Sequence, residues 1–297
     1  MRQAPVIVHH MAALDASPHP PNSLEAIRAS LEANAAFIEI DVTALAADDY
    51  LLVHDGVLEH ETSGVGEVGA TLPAETSSLL IKTRDGVVTA YRPPLLSEVV
   101  ALFGDHPGRM RLQIDYKNVH PMRDDEPLRR FLRLIKPLGE QRVLVSSGAD
   151  WQLRWMRRNA AWLDLGFDIG FYLDYRPTPV DPRQPPYFLG AYGYHDDHVL
   201  AKMALLSPAQ YLAERCDMLL HALPDASTWY VDHRLLARAL DEDFNMTAWL
   251  HERGVKMDAW TMDVGKVPDD AILRLRDAGV DQFTTNTPLA LGRLLGV

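Results

Sequence analysis

Short strand-like runs recur along the chain near residues 7, 39, 113, 144, 165, 219, 259 and 283, and each gap between them can hold a helix. Parallel strands need such long crossovers, whereas antiparallel neighbours can be joined by tight turns. Eight strands alternating with helices predict a single (β/α)8 TIM barrel, and 297 residues is an ordinary length for one. A doubly wound open sheet shares this alternation and stands as the structural alternative. The first helix is expected from an Asn22 cap, with Glu25 at capping-box spacing, to about Asn34. The link from Val42 to Leu51 is too short for a crossover helix, so 50–54 is expected to return antiparallel to 38–42 as a hairpin. Residues 56–94 read as an excursion over the sheet edge. Further on, 209–214 is expected as a helix, 217–222 as a strand and 233–252 as helical. The Pro- and Tyr-rich stretch 170–208 reads as an insertion: a lid, an interface or an ornament. No repeat or linker divides residues 1–297, which read as one domain.

Composition narrows the function class. A formal charge of −12 argues against nucleic acid and anionic membranes as partners, leaving room for a local basic pocket. No apolar run reaches the roughly 20 residues of a membrane-spanning helix. The N-terminus runs directly into the strand-like Pro5–His10 without a basic segment and long apolar core, so a soluble, cytoplasmic protein is expected. The only cysteine, Cys216, excludes an intramolecular disulfide and reads as a small buried hydrophobe. The sequence leaves the oligomeric state open.

The chemistry gathers on Phe37-Ile38-Glu39-Ile40-Asp41-Val42. Strand side chains alternate, so Ile38, Ile40 and Val42 share one face and Glu39 and Asp41 the other. Two adjacent carboxylates repel, and burying them calls for a cation, solvent or both. A hairpin at 50–54 would bring His54 to the upper end of this strand. In the next strand, alternation puts Gln113, Asp115 and Lys117 on one face and Leu112, Ile114 and Tyr116 opposite. His9 and His10 end the first strand; alternation lets one of them point inward, and His9 is the choice. Barrel active sites lie at the C-terminal strand ends, where these residues fall. Carboxylate ligands suit Mg²⁺ or Ca²⁺ better than zinc. Imidazoles there can move protons near neutral pH, and Lys117 offers a point charge to a phosphate. The bland alternatives are a salt-bridged surface hairpin for Glu39 and Asp41, and structural roles for His9 and His54. His195-Asp196-Asp197-His198 reads as a solvated loop rather than a metal cluster.

In order, the chain carries Val8-His9-His10-Met11, Pro20-Pro21-Asn22-Ser23, Glu39-Ile40-Asp41, His54-Asp55, Asp115-Tyr116-Lys117, Trp260-Thr261 and Thr285-Asn286-Thr287-Pro288. This ordered set resembles the glycerophosphodiester phosphodiesterases, barrel relatives of the phosphatidylinositol-specific phospholipases C. The family pattern runs His-Arg-Gly, Pro-Glu-Asn-Thr, Glu-x-Asp, His-Asp, Glu-x-Lys, Trp-Thr and Thr-Asp-x-Pro. The resemblance implies one divalent cation, Mg²⁺ or Ca²⁺, on Glu39, Asp41 and Asp115. It implies His9 and His54 as general acid and base, Lys117 and His10 on the phosphate, and Trp260 as a pocket wall. The implied substrate is a small phosphodiester, such as a glycerophosphoalcohol cleaved to an alcohol and sn-glycerol 3-phosphate. Three positions depart from the pattern: His10 stands for arginine, Pro21 for glutamate and Asp115 for glutamate. These changes keep two other readings open, a different phosphodiester closed to a cyclic phosphate and a non-catalytic binding protein.

Overall fold

The structure is a computed structural model and describes residues 4–106, 108, 110–120, 124–173 and 206–297. The barrel strands are β1 (Val6–His9), β2 (Phe37–Ala44), β4 (Arg111–Tyr116), β5 (Val143–Ser147), β6 (Asp164–Asp168), β7 (Thr228–Asp232), β8 (Lys256–Trp260) and β9 (Gln282–Thr285). Each pairs in parallel with its neighbour, and β1 bonds to both β2 and β9, so the sheet closes on itself. A short β3 (Tyr50–Leu51) lies antiparallel on β2 outside this circle. The outer helices are α1 (Leu24–Glu32), α2 (Leu58–Glu61), α3 (Leu96–Gly104), α4 (Glu126–Ile135), α5 (Asp150–Asn159), α6 (Pro208–Ala222), α7 (His233–Asp241), α8 (Met246–His251), α9 (Asp269–Ala278) and α10 (Pro288–Leu295). This is the expected (β/α)8 TIM barrel. No helix among the described residues is long and apolar enough to cross a membrane.

Two apolar layers hold it together. The larger lies between strands and helices, where Phe131 of α4 packs edge-on against Tyr116 at 4.9 Å and Tyr50 at 5.4 Å between ring centres. The smaller fills the barrel with Val8, Phe37, Leu144 and Tyr230. Gly166 is glycine because a Cβ there would overlap the Tyr230 ring.

One strand departs from expectation. The apolar run 217–222 belongs to α6, whose buried Leu212, Cys216 and Leu219 follow helical spacing. Pro208 occupies the first turn, and Ser207 and Gln210 form a reciprocal capping box. The barrel strand is instead the β-branched and aromatic Thr228–Asp232. At the first helix, Ser23 rather than Asn22 is the cap, accepting from the Ala26 N–H at 3.1 Å. The hairpin is shorter than expected, pairing only Tyr50 with Ala44 and Leu51 with Thr43. Beyond it, Leu52 donates to Pro94 instead, and the chain leaves the sheet. The excursion 56–94 then builds a satellite core with Leu58, Val68 and Leu79 against Leu45, Leu51 and Val53. Most of the insertion, including His195 to His198, lies outside the described residues.

Candidate active site

Strand register decides which side chains meet. Paired residues on parallel neighbours share a face, and Glu39 pairs with Gln113, Asp41 with Asp115. These point into the barrel mouth, where a cleft of about 930 Å³ opens over Glu39, Asp115 and Lys117. One oxygen from each of Glu39, Asp41 and Asp115 lies within 4.8 Å of the others. Lys117 Nζ sits 3.0 Å from Asp41 Oδ1 and also donates to Asp115. Ser146 donates to Asp115 Oδ1 at 3.2 Å, and Met11 N–H to Glu39 Oε2 at 2.7 Å.

The charges do not balance. Burial, reinforced by Asp41 and Asp115, pushes the Glu39 carboxyl well above the ordinary range. Burial also pushes Asp41 upward, but Lys117 leads His54 and His10 in overcoming it and holds Asp41 at about 2. Burial disfavours the Lys117 ammonium, yet Asp115, Asp41 and Glu39 together raise it well above its usual value. Three carboxylates thus face one ammonium, which is shared between Asp41 Oδ1 and Asp115. An all-oxygen donor set with excess negative charge fits a hard divalent cation.

The two adjacent histidines are placed opposite to expectation. His9 pairs with outward-facing Ile38, so its ring enters the strand–helix layer and meets Ser30 Oγ at 3.0 Å. Burial lowers its pKa to about 4, against the pull of Asp15. His10, one residue on, turns into the cleft and places Nδ1 2.9 Å from Asn286 Oδ1. Burial lowers His10 too, with Asp41 and Asn286 opposing. His54 lines the cleft from the excursion side, and its Nδ1 lies 2.9 Å from Asp55 Oδ1. That hydrogen bond leads in raising the His54 pKa. Asp55 also meets His60 Nδ1 at 2.7 Å, while Glu61 accepts the His54 N–H at 2.6 Å and the Asp55 N–H at 2.9 Å. Trp260 lines the cleft.

Asn22, Asn286 and Asp263 escaped the sequence reading. Asn22 reads as a helix cap, but with φ of 57° it turns its amide inward and donates to Asp41 Oδ2 at 3.2 Å. Its place in Pro20-Pro21-Asn22-Ser23 was the available signal; its direction needs the fold. Asn286 and Asp263 meet across 23 residues, a contact that no local pattern announces.

A closed barrel whose C-terminal mouth gathers a carboxylate triad, a lysine and two imidazoles has the groups that acid–base chemistry on a cation-bound phosphoryl group requires. The chain matches the glycerophosphoryl diester phosphodiesterase family over residues 15–290. It belongs to that family and is a phosphoric diester hydrolase. A glycerophosphodiester phosphodiesterase of Caldanaerobacter subterraneus subsp. tengcongensis is 28% identical over 178 residues, covering 59% of this chain and 70% of that protein. A crystal structure from Galdieria sulphuraria superposes with a TM-score of 0.72 at 17% identity, covering 100% of this chain and 99% of that one. An Oleispira antarctica phosphodiesterase, solved in complex with the product sn-glycerol-3-phosphate, gives a TM-score of 0.64 at 15% identity, with 99% and 98% covered.

Proposed function

We propose that this chain hydrolyses a glycerophosphodiester to an alcohol and sn-glycerol 3-phosphate, with one divalent cation, Mg²⁺ or Ca²⁺, on Glu39, Asp41 and Asp115. The observation that carries this reading is the meeting of the triad, Lys117 and two oppositely tuned imidazoles in one cleft. Such a cation supplies charge withdrawal from the phosphoryl oxygens. Lys117 pairs with a phosphate oxygen, and Trp260 walls the substrate. His10, rather than His9, faces the cleft and is kept neutral by burial, so it accepts the proton of the attacking oxygen. His54, with its proton favoured by Asp55, delivers one to the leaving alcohol. The Oleispira neighbour's bound product supports the product assignment. A cytoplasmic setting is proposed with it, supported by a lone, buried thiol at Cys216.

The test is release of glycerol 3-phosphate from several glycerophosphodiesters with Mg²⁺, Ca²⁺, Mn²⁺ or EDTA. Hydrolysis lost in EDTA and in His54→Ala supports the reading; hydrolysis surviving both sinks it. Accumulation of a cyclic phosphate instead of glycerol 3-phosphate would assign the other phosphodiester chemistry.

A further inference from the structure

We propose that Asn286 and Asp263 form a relay that fixes which nitrogen of His10 faces the cleft, making Asn286 a positioning residue for the proton acceptor. This rests on the role given to His10 above. A neutral imidazole carries its proton on one of two inequivalent nitrogens, and its partner decides which. Asn286 Nδ2 donates to both Asp263 oxygens, at 3.1 and 3.0 Å, and the Asn286 backbone N–H donates to Asp263 Oδ1 at 2.7 Å. A carboxylate only accepts, so turning the amide around would set oxygen against oxygen. The Asn286 Oδ1 therefore faces His10, 2.9 Å from Nδ1. An amide oxygen also only accepts, so Nδ1 bears the proton and Nε2 keeps its lone pair.

Asp263 is itself anchored. It is 4% exposed, takes a hydrogen bond from Lys266 Nζ at 2.9 Å, and takes another from Thr285 Oγ1 at 3.3 Å. Left to itself in water, imidazole prefers its proton on the other nitrogen, so the relay works against the intrinsic preference. Asp55 meets the corresponding nitrogen of His54 with a full carboxylate, which favours the protonated ring; here a neutral amide orients the ring without placing a negative charge against it.

Nitrogen-15 spectra of the full-length protein, with His10 assigned through His10→Gln, report the protonated nitrogen directly. At pH 8 the unsubstituted protein is expected to show His10 with Nδ1–H. Asn286→Leu is expected to move the proton to Nε2 and lower kcat on glycerophosphocholine at least about tenfold, with KM within about threefold. Asn286→Gln keeps an acceptor for His10 and a donor for Asp263 and is expected to retain Nδ1–H and kcat within about threefold at pH 8. An Nε2–H signal in the unsubstituted protein overturns the relay, as does Asn286→Leu with unchanged ring shifts and kcat. Equal losses of kcat in both variants without a tautomer change also overturn it. If no phosphodiester is turned over, the proposed function fails while the spectra still decide the relay.

Discussion

Lys117 Nζ lies 3.0 Å from Asp41 Oδ1, an ion pair inside the carboxylate triad. The ammonium therefore stands against the atom a cation would claim. Under the proposed function, a cation would compete with the lysine for Asp41 and would free Lys117 for an anion in the cleft. Substrate and cation would thereby be coupled through one side chain.

Lys117→Ala separates the two roles. Calorimetry with Mn²⁺ is expected to show binding at least as tight as in the unsubstituted protein, while kcat/KM falls about 10–100-fold from the lost charge-assisted contact. Loss of Mn²⁺ binding in this variant would show that Lys117 builds the triad rather than competing with it.

Asn22→Gly keeps the left-handed backbone, with φ of 57°, and removes the amide that donates to Asp41. Groups that hold a metal-binding carboxylate typically contribute 10–100-fold in affinity, so Mn²⁺ affinity is expected to weaken by about that factor. Circular dichroism should show the fold intact. An unchanged affinity would count against Asn22 as the holder of Asp41.

In the proposed mechanism the two cleft histidines would set the pH profile. His10 would have to be neutral, and its pKa is lowered, so the acid-side fall in kcat/KM is expected below about 6.5. His54 must be protonated, and its pKa is raised, so the fall on the alkaline side begins above that value. A plateau around pH 6.5 is expected between the two limbs. His54→Ala should cost much less with a p-nitrophenyl leaving group, which departs without a proton. Equal losses with both leaving groups would remove the acid role from His54.

Asp258 bears on stability. It is fully buried and accepts from Thr284 at 3.0 Å, and burial pushes it up to about 8, against that hydrogen bond and with Asp168 adding to the rise. An unfolded carboxyl loses its proton near 4, so between about pH 4 and 8 the folded chain keeps a proton that the unfolded chain releases. Stability therefore falls as pH rises through this window. Asp258→Asn should melt higher than the unsubstituted protein at pH 8, by about 3 °C or more, with a smaller gap at pH 5. A gap that is constant or reversed by calorimetry would refute the account.

The sequence carried the barrel because its strands are short, apolar and separated by helix-sized gaps. It misplaced the strand between α6 and α7 because Cys216 to Leu220 is apolar enough for either structure. The buried spacing Leu212, Cys216, Leu219 settles the point only alongside the Ser207–Gln210 cap. The carboxylate triad was legible because a period of two assigns faces within a strand, and barrel register aligns Asp41 with Asp115. His9 and His10 exposed the limit of that rule. Alternation says that neighbours face opposite ways but not which is inward, and the pairing of His9 with Ile38 decides it. Asn286 and Asp263 stayed hidden for another reason: their bond joins two loops that only the closed barrel brings together.

The satellite core of the excursion divides the cleft's authorship. His54, Asp55, His60 and Glu61 are mounted beside Val53 and Leu58, on packing separate from the layer that supports Glu39, Asp115 and Lys117. Separate cores can open separately. A chain that loosens this outer lobe would still seat a cation and an anion yet have no proton to offer the departing alcohol. Under the proposed roles, grip and release would belong to different pieces of the protein, and change in one could proceed without rebuilding the other.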